Sequence, residues 1–220
     1  MISRRQMIAS SSALAALGVS SAARAQGATC AVFDKSSQAA TSPDQALARL
    51  KEGNERFSNG KTVNCDLMSQ VKATSGQQSP VACVVGCIDS RVPPELVFDQ
   101  RLGDIFAARV AGNFVNTDII GSLEFATKLA GAKVIVVLGH TECGAIKGAV
   151  DDAKLGNLTA TLANIRPSLT KLNYSAMPSS KHKALVQRVA DQNARVAAAN
   201  LTAKSEVLSE VVNEGKLKTV

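Results

Sequence analysis

Three short apolar runs alternate along the middle of the chain with segments whose apolar residues recur at helical spacing. The runs lie at 81–85, 105–110 and 134–138, and apart from Arg109 they consist of consecutive apolar residues rather than alternating apolar and polar ones. Such runs are typical of strands buried on both faces, and their alternation with helices favours right-handed crossovers between parallel strands. The pattern predicts an α/β fold: a mostly parallel central sheet flanked by helices.

Helices are predicted before, within and after this region. Ser42-Pro43-Asp44-Gln45 supplies an N-cap, a first-turn proline and a capping-box glutamine, so an N-terminal helical arm should begin there and end near Asn59-Gly60. Apolar spacing predicts two further helices near 181–199 and 205–213. A helical repeat also separates the second and third runs, with its apolar positions at Ile119, Leu123, Ala126 and Ala130.

The first 25 residues have the features of an export signal in the expected order. Ser3-Arg4-Arg5-Gln6-Met7-Ile8 resembles the twin-arginine motif, and Ala23-Arg24-Ala25 matches a small-x-small cleavage site. The apolar stretch between them is too short and too rich in Ser and Gly for a membrane span. We therefore expect a signal peptide at 1–25, a polar linker at 26–41 and a single domain at 42–220. The mature protein should reside in the periplasm, without a membrane span after signal removal.

Composition argues against a nucleic-acid partner. The 220 residues carry a formal charge of +7, and removal of Arg4, Arg5 and Arg24 with the signal leaves +4. So mild a charge does not favour nucleic-acid binding. Aromatic residues make up only 3% of the chain, with no Trp and one Tyr, so the stacking surfaces of a single-strand binder are missing as well.

Two of the predicted strands end in residues with metal-binding chemistry. Cys87 follows the first strand, and His140 and Cys143 follow the third, so all three should meet at one edge of the sheet. Two thiolates and an imidazole bind zinc and leave a fourth tetrahedral position open. We expect Gly139 and Gly144 to permit the tight turn between the last two ligands. Two alternatives do not involve a catalytic metal. One is a closed structural zinc site, which would add a fourth Cys or His nearby. The other is a metal-free arrangement, in which the thiol is buried packing and the histidine is an ordinary turn residue.

Several motifs resemble those of beta-class carbonic anhydrases, in the same order and at similar spacing. The resemblance covers about residues 43–220 and rests on KEGNERF at 51–57, CIDSRVPPE at 87–95, GD at 103–104, RVAGN at 109–113, GSLEFA at 121–126 and VLGHTECGA at 137–145. It implies one zinc ion per chain, held by Cys87, His140 and Cys143. It further implies reversible hydration of carbon dioxide to bicarbonate by a homodimer or higher oligomer.

The resemblance also implies roles for three further residues. Asp89 and Arg91 would form a catalytic pair beside the metal, and Gln78, nine residues before Cys87, would bind substrate, commonly across a dimer interface. Physically, Asp89 can accept a hydrogen bond from the attacking nucleophile, while Arg91 can hold the carboxylate off the metal. If that pair opened, Asp89 could take the fourth metal position itself. His182 lies in a lysine-flanked polar stretch, which favours a solvated surface position.

Rival functions could use the same residues. A cysteine-dependent phosphatase would use Cys87 as its nucleophile, but its loop is longer than the three residues that separate Cys87 from Arg91, and Pro93 stands where its arginine would be. A diverged zinc hydrolase acting on carbon disulfide or carbonyl sulfide would keep the same ligands. So would a periplasmic zinc-binding or interaction protein without turnover.

The remaining cysteines and the C-terminal residues carry further expectations. Cys83 shares the strand parity of Cys87 and is predicted to be buried packing. Cys30 and Cys65 lie outside the core pattern, and the sequence leaves open whether they form a disulfide in an oxidising compartment. Residues 217–220 resemble the start of a strand that beta-class relatives typically extend into a hairpin. We therefore expect this hairpin to be missing and dimerisation to be weakened by the uncovered sheet edge.

Overall fold

A computed structural model of the protein describes residues 30–220, in which four parallel strands form one sheet. The strands are β1 (Ala82–Gly86), β2 (Ile105–Arg109), β3 (Val134–Leu138) and β4 (Lys218–Thr219). Their order is β2-β1-β3-β4, and β1 pairs with both β2 and β3. The predicted α/β fold with a parallel sheet is confirmed, and the three apolar runs coincide with the strands to within one residue at either end.

Burial follows the position of each strand in the sheet. Every residue of β1, the central strand, is buried, including Cys83 as predicted. Burial raises the pKa of the Cys83 thiol to about 12, so it stays protonated and acts as packing. The edge strand β2 is buried mainly at its first residue, and Ala107 faces solvent.

The polypeptide before the sheet forms three helices: α1 (Lys35–Ala40), α2 (Pro43–Ser58) and α3 (Leu67–Thr74). The predicted capping box of α2 is present, because Ser42 and Gln45 each bond the backbone N–H of the other. Ala46 and Leu50 fix α2 to the sheet through their contacts in the core.

The stretch expected to be a polar linker, 26–41, contains α1, and Gln38 of that helix is buried against the body of the protein. Its Nε2 donates to the carbonyls of Pro80 at 2.7 Å and Ala130 at 2.8 Å. A disulfide joins Cys30 to Cys65, with a Cα–Cα distance of 5.6 Å, which settles the pairing that the sequence left open. The residues from 30 onward are thus anchored to the domain at two points.

Short helices connect the strands on both faces of the sheet. They are α4 (Pro94–Val97), α5 (Thr117–Glu124), α6 (Gly144–Val150), α7 (Leu158–Ala163) and α8 (Arg166–Thr170). The helix predicted between the second and third runs is α5, but it continues into a π-helical turn at Phe125–Leu129. The hydroxyl of buried Thr127 donates to the Leu123 carbonyl at 2.8 Å. It thereby competes with the backbone N–H groups for this carbonyl at the point where the π-helical turn begins.

Two helices follow and lead into the last strand. Helix α9 (Lys183–Ala203) and helix α10 (Glu206–Asn213) agree with the two predicted helices to within four residues at each end. Leu201 and Leu208 pack with Ile135 in one core cluster, which covers one face of the sheet. None of the helices formed by residues 30–220 is long and apolar enough to cross a bilayer.

Candidate metal centre and active site

The parallel pairing of β1 with β3 brings the three candidate ligands together. Gly86 and Leu138 are partners at the ends of these strands, so Cys87 and the segment beginning at Gly139 leave the sheet side by side. The Sγ and imidazole nitrogen atoms of Cys87, His140 and Cys143 all lie within 4.8 Å of one another. The cluster predicted from two separate motifs therefore forms at the expected edge.

The distances and the histidine orientation fit a tetrahedral metal ion. The Sγ atoms of Cys87 and Cys143 are 3.9 Å apart, close to the roughly 3.8 Å that two thiolates at about 2.3 Å span across a tetrahedral zinc ion. His140 Nδ1 lies 2.9 Å from the carbonyl oxygen of Thr141. Because a carbonyl can only accept, Nδ1 carries the proton and Nε2 keeps its lone pair. That Nε2 is buried without a hydrogen-bond partner, as expected of an atom reserved for a metal.

The backbone path between His140 and Cys143 differs from the prediction. Neither Gly139 nor Gly144 has a positive φ, so the expectation that they permit the turn is wrong. Glu142 instead adopts the left-handed conformation, with φ of 56°. Its side chain forms an ion pair with Lys147, which lowers the pKa of the Glu142 carboxyl and keeps it outside the cluster.

Both candidate thiol ligands are buried and receive backbone N–H groups. The N–H of Gly112 donates to Cys87 Sγ at 3.3 Å. Burial raises the pKa of the Cys143 thiol to about 11, against the lowering effect of the Ile146 backbone N–H, and the nearby Cys87 raises it further. The Cys143 thiol thus ionises less readily than a free thiol, and a bound divalent cation would supply the charge that stabilises its thiolate.

Asp89 and Arg91 form a bidentate pair at the mouth of the cluster. Arg91 Nε and Nη2 donate to the two carboxylate oxygens at 2.9 and 2.8 Å, and the Arg91 backbone N–H adds a third bond at 3.0 Å. These hydrogen bonds hold the pKa of the Asp89 carboxyl well below its usual range. Asp89 Oδ2 lies 4.0 Å from His140 Nε2. An ionised carboxylate, held in place by Arg91, therefore lies beside the three candidate ligands.

Arg109, at the end of β2, fixes the loop that carries both a ligand and the carboxylate. Its Nε donates to the Cys87 carbonyl at 2.8 Å, and its Nη2 donates to the Asp89 carbonyl at 2.6 Å. We did not predict this role from the sequence, although Arg109 belongs to one of the motifs noted above. Its position at the end of the strand beside β1 was the available signal.

Gln78 and His182 lie outside this cluster. Gln78 is exposed in the loop that precedes β1, at the opposite end of that strand from Cys87, so the chain does not bring it to its own metal centre. His182 is exposed at the start of α9, where the Tyr174 hydroxyl lies 3.3 Å from its Nδ1. A role for Gln78 at this type of site requires a second copy of the chain.

Comparison with known proteins agrees with this geometry. A family described as carbonic anhydrase matches residues 82–220. Carbonic anhydrase 2 of Mycobacterium tuberculosis is 34% identical over 182 residues, which cover 82% of this chain and 87% of that protein. The carbonic anhydrase of Mycolicibacterium smegmatis is 34% identical over 79% of this chain and 76% of its own length. Among solved structures, the beta-carbonic anhydrase CcaA superposes with a TM-score of 0.61 at 26% identity, covering 78% of this chain and 79% of that one.

Proposed function

The chain belongs to the beta class of the carbonic anhydrase family, and we propose that it hydrates carbon dioxide reversibly to bicarbonate at a zinc ion bound by Cys87, His140 and Cys143. One observation carries this proposal: the lone pair of His140 Nε2 is buried and unpartnered beside two thiols, with the Asp89 carboxylate 4.0 Å away. Three ligands and an open fourth position are typical of a catalytic zinc site.

Zinc held by these three residues would lower the pKa of a water ligand from about 16 to about 7 and so supply the nucleophile. The protein supplies orientation. Asp89 Oδ2 would accept a hydrogen bond from the attacking group, so that the lone pair of that group faces carbon dioxide. Because Asp89 remains ionised, it accepts throughout the working pH range and does not compete for the proton.

Arg91 controls where the Asp89 carboxylate lies. Both carboxylate oxygens are engaged by one guanidinium, which would keep Asp89 from binding a zinc ion held by the three ligands and leave room for water. Opening of this pair would free Asp89 to occupy that position and block turnover. The protein's resting arrangement, with the pair closed, is the one that supports catalysis.

We also propose that two chains associate along the edge strand β2. Within residues 30–220, β2 pairs with β1 alone, so its other side presents unpaired backbone groups. Beside it, Phe125 is 52% and Leu129 76% exposed, and Phe125 packs edge-on against Phe106 of β2. An unpaired edge bordered by apolar side chains favours pairing with a second copy. Such a dimer is the setting in which Gln78 would reach a partner's metal centre and bind its substrate.

Sedimentation of Phe125→Asp beside the unchanged protein tests this interface. We expect the unchanged protein to form dimers, more weakly than a chain with the C-terminal hairpin would, and the variant to be largely monomeric, because a charge would be buried at the apolar border. A monomeric unchanged protein would refute the association.

Stopped-flow hydration of carbon dioxide, combined with metal analysis, tests the activity. The purified protein should carry one zinc per chain and hydrate carbon dioxide, and Cys143→Ala should lose both properties. Cys83→Ala is the matched control, since Cys83 is a buried free thiol outside the cluster and its replacement should leave zinc content and turnover unchanged. Full hydration activity in metal-free Cys143→Ala would overturn the proposal.

We propose periplasmic residence after twin-arginine export, with cleavage after Ala25. The signal residues lie outside the part of the chain that the structure describes, so support comes from the sequence order of charge, apolar stretch and cleavage site. The Cys30–Cys65 disulfide adds support, because stable disulfides are typical of oxidising compartments. Exchange of Arg4 and Arg5 for lysine should leave the precursor in the cytoplasm. Recovery of periplasmic protein that begins at Met1 would contradict cleavage.

A further inference from the structure

We propose that Asn193 of helix α9 is a positioning residue for the metal ligand Cys87, acting through the backbone of Gly112. This inference rests on the zinc site proposed above. Asn193 lies far from Cys87 in the sequence, is 2% exposed, and forms hydrogen bonds with Gly112 and Ser168. Its side chain is nevertheless connected to the Cys87 sulfur by two consecutive hydrogen bonds.

The first hydrogen bond joins α9 to the turn after β2. Asn193 Nδ2 donates to the carbonyl of Gly112 at 2.7 Å. Because a carbonyl can only accept, the atom that faces Gly112 must be the amide nitrogen and not the amide oxygen. Asn193 Oδ1 in turn lies 3.3 Å from the hydroxyl of Ser168, a fully buried residue of α8. Both ends of the Asn193 amide are therefore satisfied, and its orientation is fixed.

The second hydrogen bond joins the turn to the metal ligand. The Gly112 N–H donates to Cys87 Sγ at 3.3 Å. Gly112 has a φ of 87°, and a Cβ at this position would lie 2.4 Å from Ile165 Cδ1. Only glycine fits, and glycine has the widest choice of backbone conformations. The turn is closed by the bond from the Asn113 N–H to the Val110 carbonyl at 3.0 Å, and Asn193 supplies a contact from outside the turn that keeps the Gly112 N–H directed at the sulfur.

Helix α9 also packs against the segment that carries His140. Its contacts near the metal centre are therefore not limited to the turn at Gly112. A Cβ added at Gly139 would lie 3.5 Å from Ala194 Cβ and 3.7 Å from the Ala190 carbonyl oxygen, so this glycine packs directly against the helix. Gly139 immediately precedes His140. The same stretch of α9 thus lies behind the backbone next to His140 and behind the turn that contacts Cys87.

A hydrogen bond to a ligand sulfur changes the chemistry of the metal as well as the position of the ligand. An N–H donor stabilises the sulfur lone pairs, so the thiolate gives less charge to the metal, and the metal polarises its remaining ligand more strongly. Loss of the Asn193 contact should weaken this effect and loosen the ligand at the same time. Changes to such supporting contacts typically reduce metal affinity or activity by about 10- to 100-fold.

The experiment compares Asn193→Leu with Leu201→Ala, a matched control on the same helix whose buried side chain packs in a different core cluster. Zinc affinity is measured by chelator competition on folded protein. Cobalt-substituted protein provides a second readout, the sulfur-to-cobalt charge-transfer band. We expect Asn193→Leu to bind zinc about 10- to 100-fold more weakly, with the band moved to longer wavelength. Leu201→Ala should lose thermal stability yet keep zinc affinity and band position.

Ser168→Ala provides an intermediate test, because it frees the Asn193 oxygen and leaves the bond to Gly112 in place. It should weaken zinc binding and move the charge-transfer band to longer wavelength, in both cases by less than Asn193→Leu does. If Asn193→Leu does not fold, Asn193→Ser is judged by the same two measurements. Zinc affinity within twofold of the unchanged protein and an unmoved band would overturn the proposal, as would failure of both Asn193 variants to fold. Absence of zinc binding in the unchanged protein would instead refute the proposed zinc site.

Discussion

Removal of the Cys30–Cys65 disulfide should destabilise the whole domain. The bridge closes a loop of 35 residues, and the chain-entropy relation for a loop of this length gives about 4 kcal/mol of stabilisation at 25 °C. The native contacts of this loop should survive its loss, since Gln38 and Leu50 are held by bonds and packing independent of the disulfide. The effect should therefore come from the greater freedom of the unfolded chain.

The assay is urea and thermal unfolding of Cys30→Ser/Cys65→Ser beside the oxidised protein. A loss of about 4 kcal/mol corresponds to a fall in Tm of roughly 8–15 °C for a domain of this size. The double variant is preferable to chemical reduction, because thiol reductants also bind zinc. A change of less than about 1 kcal/mol in the free energy of unfolding would show that the disulfide contributes little to the stability of the domain.

Two further predictions concern the active-site pair and the packing of α2. Asp89→Asn and Arg91→Ala should each keep zinc and lose about 100-fold in hydration rate. Arg91→Lys should not restore it, since lysine cannot engage both carboxylate oxygens, and loss of zinc from Asp89→Asn would mark that residue as a ligand. Gly53→Ala should destabilise the fold by about 3 kcal/mol, because the new Cβ would lie 1.8 Å from the Phe98 carbonyl oxygen. Gly76→Ala, where no atom lies within 4 Å, should be neutral in the same unfolding assay.

The parts of the fold that could be predicted are those specified by local sequence. The apolar runs of β1, β2 and β3 and the capping box of α2 are each contained within a few consecutive residues. The short helices α4, α7 and α8 were not predicted, because four to six residues carry too little periodicity to be distinguished from a turn. Their helical conformation depends on neighbours that are distant in sequence. The left-handed conformation of Glu142 was not predicted either. The turn between His140 and Cys143 was expected to depend on Gly139 and Gly144 instead.

The positions of the candidate ligands could be predicted, because the topology of the sheet fixes them. The residues that support these ligands were not predicted. Parallel pairing forces the ends of neighbouring strands to one edge, so a ligand that directly follows a strand is located by the strand itself. The bond from Asn193 to Gly112 has no such constraint, because it joins residues 81 apart in the sequence. The bond from Arg109 to the Cys87 carbonyl, across 22 residues, was missed although Arg109 ends the strand beside β1. Those contacts depend on how α9 and the end of β2 pack once the sheet exists. The positions of the candidate ligands therefore follow from local motifs and strand pairing, whereas the proposed contact of Asn193 depends on the packing of α9, which no local motif reveals.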